Sequence, residues 1–160
     1  MEMRSKPWIP AVVVLIISSF FASSAMSDAP KFHRAVSSMD GASLVVSWDE
    51  RGLGNGDIDY TLTADANATY ACFNGGGKHP QAANKETVNA KVSASGSFES
   101  KNGRVQASLK TGPPGPGGFS CPKGQELRLA AVSYANIVLT DTTNGVSVSV
   151  DGQAVTLIAL

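Results

Sequence analysis

The chain has 160 residues, with 13 basic and 13 acidic side chains and a formal net charge of zero at neutral pH. Such a balance argues against nucleic acid or an anionic membrane as the main partner, because both select strongly basic surfaces. Only two histidines and two cysteines occur, so few residues are available for a metal site of the zinc type. We expect neither a metal nor a cofactor.

The first 25 residues have the layout of a secretory signal peptide. Arg4 and Lys6 give a positive start, residues 9–21 are mainly apolar, and Ala25 ends a run of small residues typical of a cleavage site. An uncleaved membrane anchor is the alternative, but an apolar run of about 13 residues is shorter than the roughly 20 that span a bilayer. We therefore predict a secreted, extracellular protein that has no membrane span after cleavage.

Residues 26–40 are weakly patterned, and we predict a loose N-terminal segment there. From residue 41 to residue 160, apolar and polar residues alternate, which is the signal for β-strands. The predicted strands are Ser43–Trp48, Asp57–Asp65, Ala68–Phe73, Glu86–Phe98, Gly103–Lys110, Glu126–Asp141, Gly145–Val150 and Ala154–Leu160. The sixth is long enough for one bent strand or two.

Turn residues separate these runs in the way that hairpins require. Asn102-Gly103, Asn144-Gly145 and Asp151-Gly152 each lie between alternating segments, and such pairs favour tight hairpin turns. With roughly seven to nine strands and almost no helical periodicity, the chain is predicted to be all-β. We expect a single antiparallel β-sandwich over residues 41–160, either immunoglobulin-like or jelly-roll-like.

Cys72 and Cys121 both lie in the part of the chain that follows the signal peptide. An even cysteine count in an exported protein favours a disulfide. The bridge would close a loop of about 50 residues, which is worth roughly 4 kcal/mol in the chain-entropy view. Free thiols or a metal pair are the alternatives, but there is no second cysteine pair, and His33 and His79 are isolated.

The stretch "CFNGGGKHPQAANKE", residues 72–86, resembles a phosphate-binding loop only superficially. A Walker loop needs Gly, four residues and then Gly-Lys-Ser/Thr, whereas Cys72 takes the first position here and His79 the last. A wide turn or a binding loop remains. His79 as the general base of a hydrolase is kept as an alternative, although the chain has no Gly-x-Ser-x-Gly nucleophile motif.

An acidic stretch runs from Trp48 to Tyr60 and offers the oxygen ligands that calcium prefers. The spacing of an EF-hand is missing. Asp57 and Asp59 also alternate with Ile58 and Tyr60, as residues on the solvent side of a strand do. We interpret this stretch as a solvated hairpin, with calcium binding or paired glycosidase carboxylates as alternatives.

A disulfide would bring two long loops to one end of the sandwich, because bridged cysteines have Cα atoms about 4.4–6.8 Å apart. One is the glycine-rich loop after Cys72, and the other is the Pro/Gly-rich stretch 111–124 around Cys121. Clustered loops on a rigid scaffold are the usual geometry of a recognition surface. The predicted binding residues are Phe73, Asn74, Lys78, His79, Asn84, Lys85, Phe119 and Lys123.

The strings "FNGGGKHPQAANKE", "GPPGPGGFSCP" and "VSYANIVLTDTTNG" resemble segments of small exported actinobacterial proteins of uncharacterised function. The resemblance covers roughly residues 43–150. It implies a bacterial secreted protein, in which the "NAT" triplet at Asn67 would carry no glycan, and it implies no activity or ligand.

These features favour a secreted, non-catalytic recognition module that binds an extracellular glycan or protein through its stapled loops. Two other functions stay open. One is a secreted hydrolase that uses His79, and the other is a structural surface protein whose loops are merely solvated.

Overall fold

The computed structural model describes residues 28–74 and 84–160, and these residues form eight β-strands and no α-helix. The predicted signal peptide, residues 1–25, lies outside the described residues, as do Lys78 and His79. The strands are β1 (Lys31–Asp40), β2 (Ser43–Arg51), β3 (Gly56–Asn74), β4 (Lys85–Ser100), β5 (Arg104–Thr111), β6 (Gln125–Asp141), β7 (Val146–Val150) and β8 (Gln153–Thr156).

Two antiparallel sheets pack together in the described part of the chain. The smaller has three strands in the order β1-β2-β5. The larger has the order β4-β3-β6-β7, with β8 pairing with β6 at residues 131–134 while β7 pairs at residues 137–141. Buried residues from both sheets form one apolar cluster between them, so the predicted β-sandwich with one disulfide is confirmed.

An aromatic cluster fills one half of the core. Trp48 of β2 lies 4.7 Å from Tyr60 of β3 and 5.3 Å from Phe98 of β4, measured between ring centroids. Residues alternate between the two faces of a strand, and all three of these rings occupy inward-facing positions. Trp48 and Tyr60 are almost fully buried. Rings in such tilted and edge-on contacts add about 0.5–1.5 kcal/mol per pair beyond the burial of their surface.

The two sheets differ in length. Strands β3, β4 and β6 have 19, 16 and 17 residues, whereas β1, β2 and β5 have 10, 9 and 8. At about 3.3 Å per residue, the larger sheet is roughly 55–60 Å long and the smaller roughly 30 Å. The larger sheet therefore extends well beyond the smaller one, toward the end of β3 at Asn74.

The Pro/Gly-rich loop, residues 112–124, covers the extended part of the inner face. Tyr70 and Cys72 lie on the same face of β3 as the core residues Tyr60 and Leu62. The hydroxyl of Tyr70 donates to the carbonyl of Pro114 at 2.7 Å, and Cys72 is bonded to Cys121 of the loop. Because proline has no backbone N–H, such a loop can lie on an apolar face without leaving many donors unpaired.

The prediction of a loose segment at residues 26–40 is wrong for residues 31–40, which form β1 and pair with β2 along their whole length. A bulge between Phe32 and Arg34 shifts the register by one residue. The extra residue in the bulge changes which positions face inward. Phe32 faces the core before the bulge and Ala35 after it, so the two are three residues apart rather than two or four.

The predicted break between Asp65 and Ala68 is also wrong, because β3 is continuous from Gly56 to Asn74. Glu126–Asp141 forms one strand with a bend, at which Asn136 has a positive φ of 49°. Strand β8 ends at Thr156, and the N–H groups of Leu157 and Ile158 both donate to the carbonyl of Ala130.

Gly52 allows the chain before β1 to pack against the end of β2. Its φ is +78°, and a Cβ atom built there would lie 2.5 Å from the carbonyl oxygen of Ala29. We expect Gly52→Ala to lower the free energy of unfolding by roughly 1–3 kcal/mol. The new Cβ atom would clash with the backbone of Ala29, and alanine is strained at a positive φ. Urea denaturation would measure the loss.

Gly54→Ala is the matched control for that substitution. Apart from Gly54 itself and its two chain neighbours, no atom of the described residues lies within 4 Å of a Cβ built there, and its φ is not positive. We expect its effect to stay within about 0.5 kcal/mol, as at other open surface positions. Equal losses in the two variants would show that the contact with Ala29 contributes nothing to stability.

Candidate functional site at the disulfide end

The distal end is the name used here for the end of the larger sheet where β3 finishes at Asn74 and where β4 and β6 start at Lys85 and Gln125. Cys72 lies in β3 itself, is almost fully buried, and is bonded to Cys121 with a Cα–Cα distance of 5.6 Å. The disulfide therefore joins the central strand to the Pro/Gly-rich loop. The two cysteines pair as the sequence predicts.

A chain of three amide side chains crosses the distal end. Gln125 donates from Nε2 to Oδ1 of Asn74 at 2.9 Å and accepts from Nδ2 of Asn84 at 3.4 Å. The three residues come from the end of β3, the residue before β4 and the start of β6. A backbone bond from the Gln125 N–H to the Pro122 carbonyl ties this group to the loop that carries Cys121. We call Asn74, Asn84 and Gln125 the amide cluster.

Phe73 does not present its ring to solvent, because it is only 5% exposed. It faces the opposite side of β3 from Cys72 and packs with Ala71, Ala130 and Ile158. The guanidinium of Arg128 lies 5.9 Å from the centre of the ring. Phe73 thus supports the distal end from within, and its predicted role in direct ligand contact needs to be corrected.

The other predicted binding residues are divided between the two sides of the distal end. Phe119 is half-buried in the loop, where its N–H donates to the Pro116 carbonyl at 3.1 Å. Lys123 is exposed next to Pro122, and Lys85 is half-buried at the start of β4. The structure joins Asn74 and Asn84 through Gln125, while Lys78 and His79 belong to the undescribed stretch 75–83.

Sequence reasoning missed Gln125 and Arg128. Gln125 follows the loop by one residue and lies four residues after Cys121, so its proximity to the disulfide was a usable signal. Arg128 gave no comparable signal. It forms an ion pair with Glu126 of the same strand at 2.6 Å, but its approach to Phe73 depends on the pairing of β6 with β3.

A second candidate, a pair of buried carboxyl groups, lies in the other half of the molecule. Glu50 and Asp141 are both fully buried. Glu50 accepts from the Tyr60 hydroxyl at 2.8 Å, while its other oxygen has no hydrogen-bond partner among the described residues. Asp141 accepts from the backbone and side-chain N–H groups of Asn144, at 2.8 and 2.6 Å, and so fixes the turn before β7.

Burial raises the pKa of Glu50 to about 7, and the nearby charge of Asp141 raises it further against the opposing bond from Tyr60. Such a shift is common at catalytic sites. A general acid or base must also reach the proton that it transfers, and neither carboxyl group is exposed to solvent. The arrangement is suited to pH-dependent stability rather than to contact with a substrate.

Within residues 28–74 and 84–160, no group of three histidine, cysteine, aspartate or glutamate side chains is placed to hold a metal ion. Asp57 and Asp59 of the acidic stretch are exposed on β3, on the side away from Ile58 and Tyr60. No helix in the described ranges is long and apolar enough to cross a membrane.

Comparison with known proteins gives no relative: no protein-family model matches the chain, and no curated protein matches it significantly.

The disulfide should dominate the stability of the distal end. Its closed loop spans 49 positions, so replacing both cysteines with alanine should lower the free energy of unfolding by about 4 kcal/mol. Urea denaturation would measure the loss, with chemically reduced wild type as a second sample that keeps both sulfur atoms.

Tyr70→Phe, which removes only the hydroxyl bond to Pro114, should cost about 1 kcal/mol. A loss below that of Tyr70→Phe in both cysteine samples would contradict the expected role.

Glu50 should make the protein less stable as the pH rises. Its pKa is about 7 in the folded protein and 4.5 in its ordinary state, so between these values the folded chain holds a proton that the unfolded chain has released. The free energy of unfolding should therefore fall from pH 4.5 to pH 7 by on the order of 2–3 kcal/mol from this group. The contribution is complete at low pH and lost above pH 7.

Glu50→Gln keeps the shape of the side chain and cannot ionise, so it should remove this loss and be more stable than wild type at pH 8. Thermal and urea denaturation from pH 4 to pH 8 would follow the difference between the two proteins. Glu126→Gln is the control, because that carboxylate is exposed and its pKa is lowered by Arg128. Parallel pH curves for wild type and Glu50→Gln would rule out a titrating Glu50.

Proposed function

We propose that the chain is a secreted, non-catalytic recognition module that binds an extracellular glycan at its distal end. The observation that carries the proposal is the amide cluster of Asn74, Asn84 and Gln125, which three separate segments place side by side. The predicted signal peptide and the disulfide are consistent with function outside the cell.

Amide side chains suit the hydroxyl-rich surface of a glycan. Each amide offers two N–H donors and an oxygen that can accept two bonds. The two bonds within the cluster use only part of this capacity, so with respect to residues 28–74 and 84–160 donors and acceptors remain on all three side chains. A sugar hydroxyl both donates and accepts, and it can therefore bridge neighbouring groups of this kind.

The cluster is held in place before any ligand binds. Asn74 and Gln125 face each other as register partners in β3 and β6, and the disulfide fixes the adjacent loop. Preorganisation of this kind reduces the entropy that binding would otherwise cost. Phe119 and Lys123 belong to the loop that the Gln125–Pro122 backbone bond ties to the cluster, and a half-buried ring in that loop can add apolar contact with a sugar face.

A binding role is also favoured by where the reactive groups lie. Glu50, the described carboxyl group with a strongly raised pKa, is enclosed in the core far from the amide cluster, because it lies opposite Tyr60 near the other end of β3. Among the described residues, the predicted binding side chains that remain at the distal end are amides, Lys85, Lys123 and the ring of Phe119. Amides bind and orient a ligand without transferring protons.

Gln125→Ala should weaken glycan binding about tenfold, because it removes the residue that bonds both other amides. The disulfide-bonded protein would first be tested against immobilised neutral and acidic polysaccharides, including bacterial cell-wall material. Calorimetry or surface plasmon resonance would then give dissociation constants for the bound polymer. Phe119→Ala should weaken the same interaction.

Asn89→Ala is the matched control. Asn89 is an exposed amide on β4 that accepts one side-chain bond, from Asn67 at 2.6 Å. Its replacement also removes a hydrogen-bonded amide, but on the outer face and away from the cluster. It should leave glycan binding unchanged. Failure of folded, oxidised protein to bind any polysaccharide would overturn the glycan assignment, and so would equal binding by wild type and Gln125→Ala.

A further inference from the structure

Three arginines lie around one aspartate on the outer face of the smaller sheet. Arg34 belongs to β1, Asp49 and Arg51 to β2, and Arg104 to β5. They lie near the proximal end, the name used here for the end at which β3 starts at Gly56. We call these four residues the arginine face.

Asp49 is the fixed centre of the arginine face. Arg104 donates to its two oxygens at 2.8 and 2.6 Å, and Arg51 donates to the same oxygens at 3.4 and 3.1 Å. Its side chain is only 14% exposed. The hydrogen bonds from Arg104 and then Arg51 hold the pKa of Asp49 well below its usual range. One carboxylate therefore anchors two guanidinium groups and leaves an excess positive charge.

Arg34 adds a second uncompensated charge. It is exposed, and within the described ranges 28–74 and 84–160 its guanidinium forms no ion pair or hydrogen bond. Its register partner in β2 is Asp49, and the register partner of Asp49 in β5 is Gln106. Directly opposite residues have Cβ atoms about 5 Å apart, so Arg34 and Gln106 are on either side of Asp49 and roughly 10 Å from each other.

A shallow depression lies over this row and shows where a ligand would fit. Its lining includes Arg34, Ser47, Asp49, Arg104 and Gln106. Arg104 uses Nε and Nη2 for Asp49 and keeps the N–H groups of Nη1, while Arg34 keeps all five of its donors. The amide of Gln106 and the hydroxyl of Ser47 add neutral donors from the same face.

We propose that the arginine face binds a phosphate or sulfate group, held between Arg34 and Arg104 with Gln106 as an additional donor. Guanidinium groups bind such oxyanions through paired N–H donors, which give both energy and orientation. A tetrahedral oxyanion has three or four oxygens and can accept from donors on three strands at once. A carboxylate has two oxygens in one plane and would meet only part of this set.

The proposed site is separate from the proposed glycan site. The arginine face lies near the Gly56 end of the sandwich, and the amide cluster lies at the Asn74 end of the same strand. Asp49 is next to Glu50, which contacts Tyr60, and the 14 positions from Tyr60 to Asn74 span roughly 45 Å at the usual rise per residue. A result at one site therefore leaves the other untouched.

Inorganic phosphate and inorganic sulfate are the probes, with chloride and acetate at the same ionic strength as comparisons. Titration of folded protein, followed by NMR signals of the backbone amides and arginine Nε–H groups, should give saturable shifts at Arg34, Arg104 and Gln106. A dissociation constant on the order of 1–10 mM is expected for a single small oxyanion. Tighter binding of phosphate or of sulfate would identify which group the site prefers.

Arg34→Gln should weaken binding at least tenfold, because it removes a charge and a fork of donors. The position is exposed and its side chain forms no ion pair or hydrogen bond with the described residues, so the variant is expected to fold. Arg34→Lys keeps the charge but not the planar fork, and it should fall between wild type and Arg34→Gln. Lys110→Gln is the control on the same strand as Arg104, where Lys110 pairs with Asp40 at 2.6 Å. It should bind phosphate as wild type does.

Three results would each overturn the proposed oxyanion site. The first is that phosphate and sulfate give no more than the shifts produced by chloride. The second is that Arg34→Gln binds as tightly as wild type. The third is that Lys110→Gln loses as much affinity as Arg34→Gln, which would indicate a diffuse electrostatic effect over the sheet rather than a site.

Discussion

The unequal length of the two sheets is the constraint on which the rest of the structure depends. Strands of 16 to 19 residues cannot be covered by strands of 8 to 10, so the inner face near Tyr70 and Cys72 needs another cover. The Pro/Gly-rich loop supplies it, and the disulfide holds that loop where no strand ladder can. The amide cluster lies at the edge of this loop. The disulfide therefore both stabilises the fold and holds the proposed recognition site in position.

The other half of the sandwich combines a large apolar core with a buried acid. Trp48 and Glu50 are two residues apart on β2, so both point inward, and the ring that packs against Trp48 also donates its hydroxyl to Glu50. Tyr60 therefore links the aromatic cluster to the carboxyl group. The hydrogen bond from Tyr60 offsets only part of the cost of burying the charged Glu50 carboxylate. Protonation removes the charge, and so the raised pKa follows.

Local signals predicted much of this fold, and contacts between distant segments account for the errors. Alternation and the Asn144-Gly145 turn identified the hairpin of β6 and β7, because both signals depend on neighbouring residues alone. The hairpin predicted at Asn102-Gly103 is wrong, because that tight turn joins β4 and β5, which belong to different sheets. Strand β1 was missed because the bulge after Phe32 breaks its period. The burial of Phe73 depends on Ile158, 85 positions later, and no pattern around Phe73 contains that information.

The same limit applies to the two proposed sites in different ways. The cysteines indicated the distal end because a disulfide is a long-range contact that can be inferred from residue type and compartment. The arginine face has no such marker, since Arg34, Asp49 and Arg104 are dispersed over 71 positions and meet only through the register of three strands. A sequence gives the number of its charges, but pairing decides which of them remain uncompensated. Arg34 is available for an external oxyanion because Asp49 is already occupied by Arg51 and Arg104.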